Sequence, residues 1–158
     1  MEHVYPRVTD SGISELYLRE NGKSRTAYFP GDIDRSFWQV MCADHGTILA
    51  NTIRWALNEE PVVEVTGPGV VDVTVWKQEN SMTVHLVNLS NPMMMKGPFR
   101  ELLPVSARVK IRLPEGYNAK SIRLLSGQKP ESTTRSSGVI NLKIGQITDH
   151  EIIAIDLA

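Results

Sequence analysis

The sequence predicts a mainly β protein, an antiparallel β-sandwich preceded by a small α/β segment made of a β-hairpin plus a helix. Three observations carry this expectation. The apolar period changes from 3.6 residues to 2 near "NEEPVVEV". Beyond that point the chain divides into short β-branched runs separated by Gly, Pro, Asn and Ser clusters. Near the start, an Asn-Gly dipeptide separates two strand-like runs. The change of period sets a domain boundary, giving a partial α/β segment over 1–60 and the sandwich over 61–158.

In chain order, residues of roughly 14 to 20 and 23 to 29 pair as a hairpin, because Asn21-Gly22 accepts the positive φ angles of a tight type I′ turn. A short helical turn is expected over "RSFWQVM", with Phe37, Val40 and Met41 facing inward. Ile48, Leu49, Thr52, Ile53, Ala56 and Leu57 then recur at helical spacing, with Asp44 as the N-cap and Pro61 beyond the end. After Pro61 the runs "VVEV", "VVDVTVW", "SMTVHLVNL", "SARVKIRLP", "AKSIRLL", "GVINLKI" and "HEIIAIDL" read as strands. Val73 and Val75 alternate with Asp72 and Thr74, and Val109, Ile111 and Leu113 with Arg108, Lys110 and Arg112. That alternation predicts antiparallel sheets with one wet face. "QKPESTTRSSG" reads as a polar loop or sheet edge. The first sixty residues offer too few elements to enclose both faces of a sheet, so this part is expected to lean on the sandwich or to belong to something larger.

A net charge of −1, from 17 basic and 18 acidic residues, lacks the basic excess of a nucleic-acid or anionic-membrane binder. Neither partner is expected. No apolar run approaches the roughly 20 residues of a membrane span, and "MEHVYPRVTD" is unlike a signal peptide, which favours a cytoplasmic setting for the chain as given. Cys42 is the one cysteine and lies in an apolar run, where a buried, inert thiol is expected.

Chemistry-bearing residues concentrate in "AYFPGDIDRSFWQVMCADHG", residues 27–46. Asp32, Asp34, Asp44 and His45 are of the types that ligate hard cations or zinc, but D-x-D followed ten residues later by D-H matches no converging ligand loop. Helix capping and pairing with Arg35 explain the aspartates more simply. Proton exchange between an aspartate and His45 is the alternative, a hydrolase reading. No G-x-S-x-G elbow occurs, and "VTGPGVVDV" leads into a strand, so it is a turn and not a phosphate cradle. Trp55 and Trp76 fit core positions, leaving Trp38 as the ring expected to be exposed. Asn88 heads a formal glycosylation sequon at a strand end. The loop "NLSNPMMMKGPFRELLP" places Met93, Met94, Met95, Phe99 and Arg100 between strands and is too apolar to idle in solvent. It is expected to cover an open end of the sandwich or to pack against a neighbouring domain or subunit.

The stretches "RTAYFPGDIDRSFWQVMCADHGTILANTIRWAL" and "VTGPGVVDVTVWKQENSMTVHLVNLSNPMMMKGPFRELLPV" resemble the C-terminal portion of large glycoside hydrolases related to β-galactosidases. In that architecture a catalytic barrel precedes a trimerisation domain of the glutamine-amidotransferase-like, flavodoxin-like kind and then a terminal β-sandwich. The resemblance implies that the first sixty residues are the tail of the flavodoxin-like domain. It further implies that no catalytic residue, cofactor or metal site is carried over, because the barrel is not in this chain. Tyr28, Asp32, Asp34, Arg35, Trp38, Asp44 and His45 then form a polar interface motif at a strand end. The expected function is a non-catalytic accessory or assembly region, a homo-oligomer contacting a neighbouring domain or subunit. A carbohydrate-binding sandwich is the alternative.

Overall fold

The structure, a computed structural model, describes residues 11–92 and 101–158. It divides into two compact units, residues 1–60 and 61–158.

In the first unit, β1 (Tyr17–Asn21) and β2 (Ser24–Tyr28) pair antiparallel, with Asn21 opposite Ser24. The two-residue turn is therefore Gly22-Lys23. Gly22 has φ +61° and Lys23 is not among the positive-φ residues, the pattern of a type II′ turn and not the type I′ expected from Asn21-Gly22. Helix α1 (Ile33–Val40) ends on Met41 in the left-handed conformation, whose N–H bonds to the Phe37 carbonyl at 2.6 Å. Helix α2 (Ala43–Leu57) ends the same way on Asn58, a residue type that tolerates this conformation. Gly46 lets the helices approach: a Cβ there would lie 2.9 Å from the Phe37 ring. Helix α2 also contacts β2, where the Arg25 guanidinium donates to the Trp55 carbonyl at 3.0 Å and lies over the Trp55 ring at 5.4 Å.

Several expectations for this unit are corrected. The N-cap of α2 is Cys42, which is half-buried, and Asp44 sits exposed in the first turn without capping. The inward face of α2 runs through His45, Leu49, Thr52 and Ala56, whereas Ile48, Ile53 and Leu57 are exposed. Val40 points to solvent. Among the described residues of this unit only Thr52 is buried.

The second unit contains β3 (Val63–Thr66), β4 (Val71–Lys77), β5 (Ser81–Asn88), β6 (Val105–Arg112), β7 (Ala119–Leu124), β8 (Ser132–Ser136), β9 (Val139–Ile147) and β10 (His150–Leu157). They form two four-stranded antiparallel sheets, ordered β4-β5-β10-β7 and β3-β6-β9-β8. Strict alternation in β5 and β6 buries Met82, Val84, Leu86, Val105, Ala107, Val109 and Ile111. With Ile140, Leu142 and Ile144 of β9 and Ile153 and Ile155 of β10 they form one core, as a sandwich requires. The Ser/Thr-rich stretch after Pro130 is the edge strand β8. Trp76, expected in the core, is 63% exposed.

At one end of this unit, the buried Asn88 side chain organises three chain segments. The two hydrogens of its amide nitrogen serve the carbonyls of Leu103 (2.8 Å), Thr148 (2.8 Å) and, in a shared bond, Ile147 (3.2 Å), while its oxygen accepts from the Ser90 N–H at 2.9 Å. An amide nitrogen committed in this way leaves no room for a glycan, so the sequon is structural. Gly69 packs here too, at φ +81°, and a Cβ on it would strike the Ser90 hydroxyl and lie 2.7 Å from a Val105 methyl.

Candidate functional site

The segment between β2 and α2 is placed by a sharp change of direction: the strand stops after Tyr28, Phe29 and Pro30 follow in irregular backbone, and α1 starts at Ile33. Asp32 occupies the N-cap of α1 and its carbonyl accepts the Ser36 N–H at 2.9 Å, but its carboxylate makes no capping bond. That carboxylate pairs with Arg35 at 3.5 Å, both side chains largely exposed, an arrangement worth at most about 1 kcal/mol. Asp34 lies in the first turn of α1, where the helix dipole favours a negative charge. Tyr28 is exposed on β2, with its ring 6.4 Å from that of Tyr17 across the hairpin. Trp38 is 60% exposed, as the sequence predicts.

Under this segment, within the first unit, lies a cavity of about 600 Å³. Leu16, Phe29, Ile33 and Ile48 supply its apolar walls, and Glu15, Asp32, Ser36 and His45 its polar groups. Asp32 and His45 thus share one cavity, whereas Asp34, Asp44, Arg35, Trp38 and Tyr28 do not line it. The Nδ1 atom of His45 is buried and has no hydrogen-bond partner. Leaving such a group unsatisfied costs about 1–3 kcal/mol. Glu15 and Ser36 were not foreseen. The helical spacing of Ile33, Ser36 and Phe37 was the available signal, but it needed the true start of α1.

Among the described residues, no three His, Cys, Asp or Glu side chains converge as metal ligands. No described helix is long and apolar enough to cross a membrane. Met93, Met94, Met95, Phe99 and Arg100 lie outside the described residues; the flanking chain is pinned by a 2.9 Å bond from the Leu103 N–H to the Ser90 carbonyl.

No family model matches the chain, and no curated protein matches it in sequence. Among solved structures, alpha-L-fucosidase isoenzyme 2 from Paenibacillus thiaminolyticus matches with a TM-score of 0.67 at 16% identity. The match covers 89% of this chain and 22% of the fucosidase chain. It therefore establishes a likeness of fold to part of a glycoside hydrolase.

Proposed function

We propose that the chain is a non-catalytic accessory and assembly region of a glycoside-hydrolase-like protein, in which residues 1–60 dock onto a neighbouring domain or subunit. One observation carries the reading. Among the described residues, the first unit buries only Thr52, yet it exposes Ile13, Tyr17, Leu18, Trp38, Val40 and Ile53 among its large apolar side chains. Large exposed apolar side chains on a unit that buries so little favour an interface. The cavity walled by Leu16, Phe29, Ile33 and Ile48 adds a concave apolar recess to the same unit. The relation to β-galactosidase-type enzymes, the flavodoxin-like origin of the first unit and a homo-oligomeric state rest on the sequence resemblance. The fold likeness to part of a fucosidase fits an accessory position.

Sedimentation velocity over a range of concentrations tests the docking. Association that grows with concentration and is lost in Val40→Glu/Ile53→Glu is the expected result. A monomer at every concentration, unchanged by the substitutions, contradicts docking between subunits. An assay against aryl glycosides tests the non-catalytic reading: turnover abolished by Asp32→Asn would replace it with the hydrolase alternative.

A further inference from the structure

The outer face of the sheet β3-β6-β9-β8 carries a second site, unrelated to the first unit. The strand register lines up two parallel rows of side chains across it. Glu64, Lys110, Asn141 and Thr134 form one row, and Thr66, Arg108, Lys143 and Ser132 the other. With strands roughly 4.8 Å apart and same-face residues roughly 7 Å apart along each strand, the two rows floor a patch about 14 Å by 7 Å. A shallow cleft of about 370 Å³ opens over this patch, and all eight residues line it.

The charge arrangement is unfavourable for an empty surface. Arg108 stands directly opposite Lys143 in the register, a like-charge pair that destabilises a sheet. Lys110, two residues from Arg108 on the same strand face, has Glu64 as its cross-strand partner, so Arg108 alone of the three cations has no carboxylate opposite or paired with it among the described residues. Glu131 relieves part of this repulsion by pairing with Lys143 at 2.5 Å. No hydrogen bond or ion pair engages the Arg108 guanidinium among the described residues. Around it stand neutral groups suited to sugar hydroxyls: the Thr66, Ser132 and Thr134 side-chain oxygens and the Asn141 amide. The cleft has no aromatic lining residue, so it offers no stacking platform for a neutral sugar ring.

We infer that this cleft binds an acidic oligosaccharide, with one carboxylate of a uronic acid unit held on the Arg108 guanidinium between Lys110 and Lys143 and its hydroxyls on the two polar rows. A guanidinium matches a carboxylate with two parallel N–H donors, which fixes the sugar's orientation as well as its charge. The site lies wholly in the second unit and does not depend on the docking reading, so either can fail while the other stands.

Titration calorimetry of the full chain with galacturonate oligomers at low ionic strength tests it. The expected result is binding that weakens at least tenfold in Arg108→Met and in Asn141→Asp, is unchanged in Lys120→Met on the other sheet, and falls as salt is raised. Unfolding midpoints of the variants close to that of the parent chain assign the loss to the site. Three outcomes overturn the assignment: no binding of the acidic oligomers, equal binding by Arg108→Met, or equal binding of neutral oligosaccharides. Inorganic sulfate or poly-glutamate binding as tightly as the oligomers, with the same dependence on Arg108, would reassign the cleft to a bare anion or an acidic peptide and also overturn it.

Discussion

Glu151 is a carboxylate at 1% exposure, at the start of β10, and its surroundings explain how an ionised group is held there. Burial pushes its pKa up, but the Ser126 hydroxyl (2.5 Å) and the Gln128 amide (2.6 Å) donate to one oxygen and the Ser126 and Ile152 N–H groups (3.2 and 2.9 Å) to the other. Together these hold it below its ordinary value of 4.5. Because the folded-state value is the lower one, the stabilisation is fully present above about pH 4.5 and is lost as pH falls through the folded pKa. Glu151→Ala should cost about 2–3 kcal/mol at pH 7 in denaturant unfolding, with the gap to the parent chain narrowing below pH 4. Asn88→Ala strands the Leu103, Ile147 and Thr148 carbonyls and should cost a similar amount, about 2–3 kcal/mol, by the same measurement. Neither role was legible in the sequence. Period 2 puts Glu151 on the same face as Ile153 and Ile155 but does not say what holds its charge there, and an Asn before Leu-Ser reads as a sequon. Only the folded chain brings residues 126 and 128 to the first and 103 and 147 to the second. Trp76 was different, because the alternation that placed Val73 and Val75 inward put Trp76 on the wet face with Asp72 and Thr74. Trp76 stands opposite Thr83 on that face and is exposed.

At the scale of elements, the two halves of the chain obeyed different rules. Strands β5, β6 and β9 of the second unit follow period 2 so closely that their inward faces could be read directly, since each is packed on one side by a full sheet. Helix α2 has no such constraint among the described residues. Ile48 lies to one side of its inward face and Ile53 and Leu57 to the other, all three exposed, while His45 and Thr52 turn inward. Hydrophobic periodicity locates a helix but assumes that one side faces water, and this one carries apolar groups on two sides. Strand β8 takes the second of the two readings open to its stretch, loop or sheet edge, which the sequence does not separate because serines and threonines there carry no apolar alternation. Tight connections are the elements most sensitive to substitution. Gly69→Ala combines a left-handed φ of +81° with a collision against Ser90 and Val105, and should lower stability by about 2–3 kcal/mol in thermal or denaturant unfolding. Gly22→Ala, at φ +61° in an open hairpin turn with nothing near its added Cβ, should cost about 1 kcal/mol in the same assay.

For the whole molecule, burial separates a finished body from an unfinished surface. The second unit encloses one apolar core between two sheets. The first unit joins a two-stranded hairpin to two helices, and a hairpin of that kind is marginal in water without more strands or a covered face. The shortage of elements in the first sixty residues is legible in the sequence. The cavity beneath the acidic segment is not, because it depends on how α1 and the chain before β1 close around His45. The assay that bears most directly on this account is backbone hydrogen exchange, resolved along the full chain at low and at high protein concentration. Amides of β5, β6, β9 and β10 should exchange only through global unfolding, while those of β1, β2 and α2 exchange orders of magnitude faster in dilute solution and slow as the chain associates. Equal protection of α2 and β5 at the lowest concentration would mean that the first unit is self-sufficient, and would contradict the docking role proposed for it.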